Sequence, residues 1–434
     1  MQRKLISQLT TPDEVVRLCG WVETVRNQRR MQFLILRDHT GLVQIINERT
    51  ANPDVANKID TLTPESAVEI TGKVMFNKAV KLGGKEIVVQ SLNIVGYARS
   101  PLPLQEHASQ ENRLDWRFLD LRKPKNQLIF ELQTVAEHAM RSFWTEHGFL
   151  EIHSPKLMGS ASESGAELFR VEYFDRHAYL AQSPQFYKQM AMAAGFDRVF
   201  EIGPVFRANP SFTTRHDTEF TSIDVEISWV DSHEDVMAWE EKWLHSVLSE
   251  VKNKLGDKIE EMYGAEIRVP EIPFPRITMA EAYDILGSKG HQVDRGLKGD
   301  LDPEGERILS RYFQETRDHE FVFVTEYPAP ARAFYHMRPA ANPKVTKSFD
   351  LLWKGLELTT GAQREHRYDQ LVDQAKEKGI DPESIKYYLD FFRYGCPPHG
   401  GYGFGLTRML MLMLNLKNVR EVTYLYRGVN RLTP

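Results

Sequence analysis

The sequence predicts an α+β protein, with a small OB-type β-barrel at the N-terminus and a larger domain of interleaved helices and strands behind it. Three observations carry this. The first hundred residues hold five strand-like runs, with one helical segment between the third and the fourth. Beyond about residue 125 the apolar spacing changes from two residues to nearly 3.6. Further strands then alternate with helices, down to a strand–helix finish.

The barrel strands are "VVRLCGWVETV", "MQFLILRD", "GLVQIIN", "SAVEITGKVMF" and "KEIVVQSLNIV", with a turn at "DHTG" (38–41) and a helix in "NPDVANKIDTL". Residues 1–104 form this barrel, and the proline-containing, charged stretch 105–125 reads as a hinge. Residues 126–434 make the second domain, with a helical and strand insertion at about 270–345. Leu128, Leu132, Val135, Ala139 and Phe143 predict its first helix, with Gly148 and Pro155 beyond the end. Ser232 and Asp235 predict a capping box at the start of a second helix, whose apolar stripe is Val236, Trp239, Trp243, Val247 and Val251. In "RVFEIGPVFR" and "SIDVEIS" apolar and charged residues alternate, which predicts two amphipathic antiparallel strands joined by a polar loop. That pair places Arg207 on a floor and Arg215 and His216 on a loop above it.

The chain has 434 residues, 41% hydrophobic and 26% charged, and a net charge of −5. Those are the values of an ordinary globular protein. The negative balance excludes a global cationic field, so any nucleic-acid contact must be a local patch. Cys19 and Cys396 lie far apart and suggest neither a disulfide framework nor a metal site. The N-terminus lacks the apolar core of a signal peptide. The greasiest run, "MLMLMLNL" (409–416), is too short to span a bilayer and reads as a buried helix. A cytoplasmic protein without membrane contact is expected.

Three signatures follow in order: a long helix running into "FLEIHSPKL", then "FRANPSFTTRHDTEF", then "GGYGFGLTRMLML" with Arg408. Behind an OB-like barrel, they resemble the class II aminoacyl-tRNA synthetases of the aspartyl, asparaginyl and lysyl subgroup. "AYLAQSPQFYKQM", "GAQREHRYDQLV", "FFRYGCPPHGG" and "NRLTP" look like the archaeal-type aspartyl enzymes, and the resemblance covers essentially the whole chain. It implies an anticodon-binding OB domain and a catalytic domain on a mixed, mainly antiparallel sheet of six to seven strands. The implied activity is aspartate–tRNA ligation. Aspartate and ATP give aspartyl-adenylate, and the aminoacyl group passes to the 3′ end of tRNA(Asp), or of tRNA(Asn) as well. Magnesium accompanies ATP, and a homodimer is implied.

The resemblance also assigns residues. Arg207 grips the α-phosphate and the amino-acid carboxylate, while Arg215 and His216 hold the outer phosphates. Arg408 meets the nucleotide from the opposite side and is catalytic with Arg207. Asn209, Asp217, Glu357, Gly405, Leu406 and Thr407 complete the ATP set, with Gly403 allowing close backbone approach. Asp350 and Glu357, aided by Thr360, supply oxygens to magnesium, which favours few carboxylates and many phosphates or waters. Seven residues apart on one strand they would point to opposite faces, so a bulge or turn is expected between them. Aspartate binding falls to Glu163, Gln185, Lys188, Arg207, Asp224, Thr360 and Arg364. Lys188 and Arg364 hold the side-chain carboxylate, and an asparagine there leaves buried cations unpaired. Phe33, Gln44 and Glu86 read the anticodon by stacking and edge recognition.

Four features depart from the family pattern. Asn209 stands where a glutamate usually accepts from the adenine amino group, Thr407 where an acidic residue commonly precedes the arginine, and Ala333 where a proline is usual, and the C-terminal "LYRGVNRLTP" lacks an acidic residue that archaeal-type relatives often carry. Two further readings therefore stay open: a paralogue that uses asparagine or spends its adenylate outside translation, and an inactive tRNA-binding regulator.

Overall fold

Alternation along the first hundred residues closes a barrel. In the computed structural model, β1 (Val15–Asn27), β2 (Met31–Asp38), β3 (Gly41–Glu48), β4 (Ala67–Phe76) and β5 (Lys85–Gly96) pair in the order β1-β2-β3-β5-β4. Every second residue points inward, so Val16, Leu18, Leu34, Leu36, Val43, Ile45, Val68 and Ile70 fill the barrel. Helix α1 (Pro53–Asp60) starts at Asn52, whose side chain accepts from the Val55 amide, with Pro53 in its first turn. Its Val55 and Ile59 join the barrel core. The structure describes residues 1–159, 167–210, 213–294, 296 and 298–434.

The chain divides into two units, residues 1–127 with Pro434, and residues 128–433. The stretch 105–125, expected as a hinge, carries two short helices, Gln110–Asp115 and Arg117–Asp120. Ser109 caps the first through the Asn112 amide. Arg117 and Asp120 form a buried ion pair at 2.9 Å. The many charges of this stretch are thus partly internal ties rather than the solvated surface of a linker.

The second unit is built on an eight-stranded sheet, one or two strands wider than expected. Its order is β12-β13-β14-β15-β16-β11-β10-β6. The strands are β6 (Leu150–Glu151), β10 (Arg198–Phe206), β11 (Glu219–Ser228), β12 (Arg276–Thr278), β13 (Phe321–Thr325), β14 (Ser348–Trp353), β15 (Leu356–Gln363) and β16 (His399–Gly405). Only the outer pairs, β6 with β10 and β12 with β13, are parallel. A separate small sheet holds β7 (Leu157–Met158), β8 (Arg170–Tyr173) and β9 (Arg176–Leu180). The widening has a plain cause. Strands β12 and β13 come from the stretch 270–345, read from the sequence as a helical and strand insertion, and they extend the sheet at its edge.

Two long helices cover one face: α2 (Pro124–Glu146) and α4 (His233–Tyr263). Ser232 and Asp235 form the expected capping box, and Gly264 ends α4 in the left-handed region at φ 63°. Trp144 stacks on Trp243 at 5.0 Å and on Phe200 at 4.7 Å, and Trp243 meets Phe404 edge-on at 4.9 Å. Ile223, Val225, Tyr402, Phe404 and Leu351 complete this layer. The alternate residues of the same strands therefore point to the opposite face. There α5 (Met279–Ser288) and α6 (Pro303–Arg317) cover only the β13 side, through Leu286, Leu309, Phe313, Val322 and Val324. The middle strands present a polar floor beside them. Among the described residues no helix is long and apolar enough to cross a membrane.

Candidate functional site

A cavity of about 460 Å³ opens on that polar floor. Strands β10 and β11 pair antiparallel from Arg198↔Ile227 to Phe206↔Glu219, as their alternation predicts. Arg207 continues the ladder, its amide donating to Thr218 O at 2.9 Å, and its guanidinium lies 5.4 Å from the Phe220 ring. Arg215 and His216 lie on the connecting loop. Arg408 comes from the first turn of α8 (Leu406–Met413), directly after β16. Three arginines distant in sequence thus line one cavity. Burial, then Arg408, Arg215 and Arg207, hold His216 below its ordinary pKa, so the ring stays a neutral hydrogen-bonding group among these cations.

Asp350 and Glu357 lie on successive strands. Lys354 and Gly355 turn the chain between β14 and β15, the register slips between Leu351 and Leu352, and Asp350 faces Thr360 across the hairpin. Turn and bulge together bring both carboxylates to one face. Thr360 Oγ1 donates to Glu357 Oε1 at 2.9 Å, and Arg408 Nη1 donates to Glu357 O at 2.7 Å. Burial raises the Glu357 pKa, but Arg408, Thr360, Arg332 and Arg207 outweigh it and hold the carboxylate below its usual range. Asp350 sits deeper, paired with Arg332 at 2.5 Å, and burial pushes its pKa up to about 7 against the pull of Arg332. Its Oδ1 has no hydrogen-bond partner among the described residues. Two carboxylates, one with an open oxygen, beside a cationic cavity fit a magnesium ion that takes its remaining oxygens from phosphates and water.

The other end of the cavity is electrically balanced. Lys188 on α3 (Gln185–Ala193) is buried and donates to Asp224 Oδ1 and Tyr402 O, both at 2.9 Å. Arg364 grips Glu226 through Nε at 2.9 Å and Nη2 at 3.3 Å, and Lys188 lies 3.4 Å from the same carboxylate. Burial raises the Glu226 pKa, yet Arg364 and Lys188 prevail and keep it ionised below the usual range. This corrects one expectation. A neutral ligand here does not leave Lys188 and Arg364 unpaired, because Asp224 and Glu226 already oppose them. The groups that do face the cavity there include Arg364, Gln185 and buried His336. Burial and the nearby Arg364 and Arg332 keep His336 neutral, and its Nδ1 has no partner among the described residues.

Glycine makes this packing possible. A Cβ on Gly401 would stand 2.0 Å from Val225 O and 2.3 Å from Glu226 Oε2. The "GGYGFG" strand thus leaves the volume in which the Glu226 carboxylate lies. A Cβ on Gly403 would meet only Asp224 Oδ1, at 3.4 Å, so that glycine keeps the cavity floor low instead.

The remaining assigned residues fall as follows. Gln185, Asn209, Asp217, Asp224, Thr360, Gly405 and Thr407 line the cavity. Asp217 is buried there, its pKa pushed up to about 7 by burial against Arg420, Thr423 and Arg408. Leu406, expected in the ATP set, turns its side chain into the core and does not line the cavity. Glu163 lies outside the described residues. In the barrel, Ile35 pairs with Gln44 and Phe33 with Ile46, while Gln44 pairs with Glu86. Phe33, Gln44 and Glu86 therefore share the outer face, and Gln44 Nε2 donates to Glu86 Oε2 at 2.8 Å. The sequence reading missed Glu226, Glu306, Arg332 and His336. Glu226 had a signal, lying two residues beyond Asp224 on the same face of a strand; the others carry no local one.

Residues 109–427 match the family of class II tRNA synthetases (D, K and N), and residues 16–95 match the OB-fold nucleic acid binding domain. The chain is 44% identical over 426 residues to an aspartate–tRNA(Asp/Asn) ligase of Aeropyrum pernix, covering 96% of this chain and 95% of that one. It is 41% identical over 424 residues to an aspartate–tRNA(Asp) ligase of Thermococcus kodakarensis, covering 96% of each. Its structure superposes on an asparaginyl-tRNA synthetase of Pyrococcus horikoshii complexed with asparaginyl-adenylate, with a TM-score of 0.93, 34% identity and full coverage of both chains.

Proposed function

We propose, from the premise that the chain belongs to the class II tRNA synthetases (D, K and N), that it is an ATP-dependent ligase joining L-aspartate to tRNA(Asp) and tRNA(Asn). One observation carries the reading: Arg207, Arg215 and Arg408 line a single cavity that ends at Arg364. No cavity residue needs to become a covalent nucleophile, because the carboxylate of the amino acid already is one. One of its oxygens attacks the α-phosphorus, forming a P–O bond as the bond to the β-phosphate oxygen breaks and pyrophosphate leaves. Arg207 grips both reacting anions with one guanidinium and neutralises charge building on the α-phosphate. Arg215 and Arg408 orient the outer phosphates for in-line departure. In the second step a ribose hydroxyl of tRNA attacks the adenylate carbonyl and AMP leaves.

Asp350 and Glu357 would hold magnesium, which would neutralise phosphate charge. Gln185 and Asp224 bind the amino group, and Arg364 takes the side-chain carboxylate on the Nη1 edge that Glu226 leaves; their place in one cavity supports this. Phe33, Gln44 and Glu86 contact the anticodon. The protein works as a cytoplasmic homodimer. Support for aspartate over asparagine comes from the relatives at 41–44% identity. Serving both tRNAs follows the Aeropyrum relative. The test is ATP–pyrophosphate exchange with aspartate, asparagine, glutamate and lysine, followed by aminoacylation of both tRNAs. Exchange with aspartate, abolished by EDTA, is expected. Exchange with asparagine alone overturns the substrate, and exchange with none of the four overturns the enzyme reading.

A further inference from the structure

Helix α6 brings a carboxylate to the phosphate end of the cavity from outside the three signatures. Asp302 caps this helix through the Gly305 amide at 2.7 Å. Leu309 and Phe313 face the core beneath it, which turns the first-turn residue Glu306 toward the loop that carries Arg215. Glu306 is buried. Its Oε2 accepts from Arg215 Nη1 at 3.0 Å and from the Glu357 amide at 3.2 Å. One carboxylate oxygen thus ties the arginine loop to the first turn of β15, the two elements that carry the proposed phosphate and magnesium residues.

We propose that Glu306 is a positioning residue for adenylate formation, holding Arg215 over the cavity before ATP arrives and keeping Glu357 in register beneath it. This rests on the assignment of Arg215 to the outer phosphates. An arginine on a loop has many rotamers to lose on gripping a phosphate. A buried carboxylate that occupies Nη1 alone fixes the guanidinium plane and leaves its other edge for phosphate oxygens. The loss of rotamer freedom then occurs on folding rather than on ATP binding. The amide contact to Glu357 links the same event to the carboxylate that Arg408 touches.

The test uses the full-length enzyme in ATP–pyrophosphate exchange, with Glu306→Gln, Glu306→Asp, Arg215→Ala and the Glu306→Gln/Arg215→Ala double variant. Glu306→Gln is expected to raise KM for ATP by roughly ten- to a hundredfold, the range for a charge-assisted hydrogen bond, with KM for aspartate unchanged. Glu306→Asp recovers part of the loss. In the Arg215→Ala background the Glu306→Gln penalty shrinks to a fewfold, because the partner through which it acts is gone. Equal penalties in both backgrounds overturn the proposal, as does an ATP KM that Glu306→Gln leaves untouched. Thermal melting accompanies each variant, and Glu306→Asp carries the comparison where Glu306→Gln fails to fold. Absence of exchange in the unsubstituted enzyme overturns the functional reading together with this one; exchange in the parent with additive losses overturns this one alone.

Discussion

Replacing Glu226 by glutamine tests the charge balance of the amino-acid end. The change keeps shape and volume but removes the charge that opposes Arg364 at 2.9 and 3.3 Å and Lys188 at 3.4 Å. Lys188 then keeps Asp224, and Arg364 loses its carboxylate. Breaking a buried pair by removing one partner costs about 3–5 kcal/mol. For a unit of this size that lowers Tm by about 5–8 °C, taking roughly 2 cal/mol/K of unfolding entropy per residue. The sign with pH follows from the depressed pKa. Glu226 stabilises the fold fully above its unfolded pKa of 4.5, and the contribution is lost as pH falls through its lower folded value. The stability gap between parent and variant therefore narrows on acidification below about pH 4.5. A second consequence separates electrostatics from packing. The pocket of Glu226→Gln carries one uncompensated positive charge, so aspartate restores Tm more strongly than asparagine, and the ratio of their exchange rates moves toward aspartate. Differential scanning calorimetry with each amino acid, alongside pyrophosphate exchange, reads both. Equal recovery by the two ligands, or a Tm within 1–2 °C of the parent, refutes the reasoning.

Other outcomes follow from the same geometry. Gly401→Ala places a methyl group 2.0 Å from Val225 O and loses the fold, whereas Gly403→Ala, with its nearest contact at 3.4 Å, melts within a few degrees of the parent; thermal melts of the pair decide it. Glu240 lies under the sheet with its pKa pushed up to about 8 by burial, so the folded state keeps a proton that the unfolded state releases, and stability falls as pH rises from about 4.5 to 8. Glu240→Gln should therefore gain Tm on the parent between pH 5.5 and 8.5, and a gap that stays constant contradicts the assignment. Phe33→Ala removes a stacking ring worth roughly 1–3 kcal/mol per base, so tRNA binding weakens about five- to a hundredfold in filter binding while aspartate-dependent exchange keeps its rate.

Periodicity carried most of the fold into view. The five barrel strands, the capping box at Ser232 and the β10–β11 hairpin all rest on local spacing, and local spacing is what a single sequence displays. The edge of the sheet did not show. Strand β12 is three residues long and β13 is buried on both faces, so neither alternates and both read as parts of an insertion. The site divides along the same line. Arg207, Arg215 and Arg408 stand in runs whose glycines, prolines and charges break the surrounding pattern. Glu306 stands on an amphipathic helix far in sequence from any motif, where a glutamate reads as solvated surface; only the fold turns it inward.

Internal ion pairing explains how a cavity so rich in cations folds before its ligands arrive. Arg215 faces Glu306, Arg408 faces Glu357, Arg332 faces Asp350, Arg364 faces Glu226 and Lys188 faces Asp224. Each of these five cations has an internal carboxylate, so its ligand-free burial does not strand positive charge. Binding of ATP and aspartate is then an exchange of partners rather than a filling of empty sites. The exchange has a direction. At the amino-acid end Asp224 lines the cavity with Lys188 buried behind it, and Arg364 faces the cavity with Glu226 buried beneath it, so Lys188 keeps its bonds and only Arg364 offers a ligand its remaining donors. At the phosphate end Glu357 lines the cavity beside Arg408, and a polyphosphate drawing that arginine away leaves Glu357 and Asp350 facing added negative charge. A divalent cation at those oxygens cancels it, so nucleotide affinity must depend on magnesium far more steeply than amino-acid affinity does. Titrating each ligand with and without the metal measures that asymmetry, and equal dependence for both ligands contradicts the exchange.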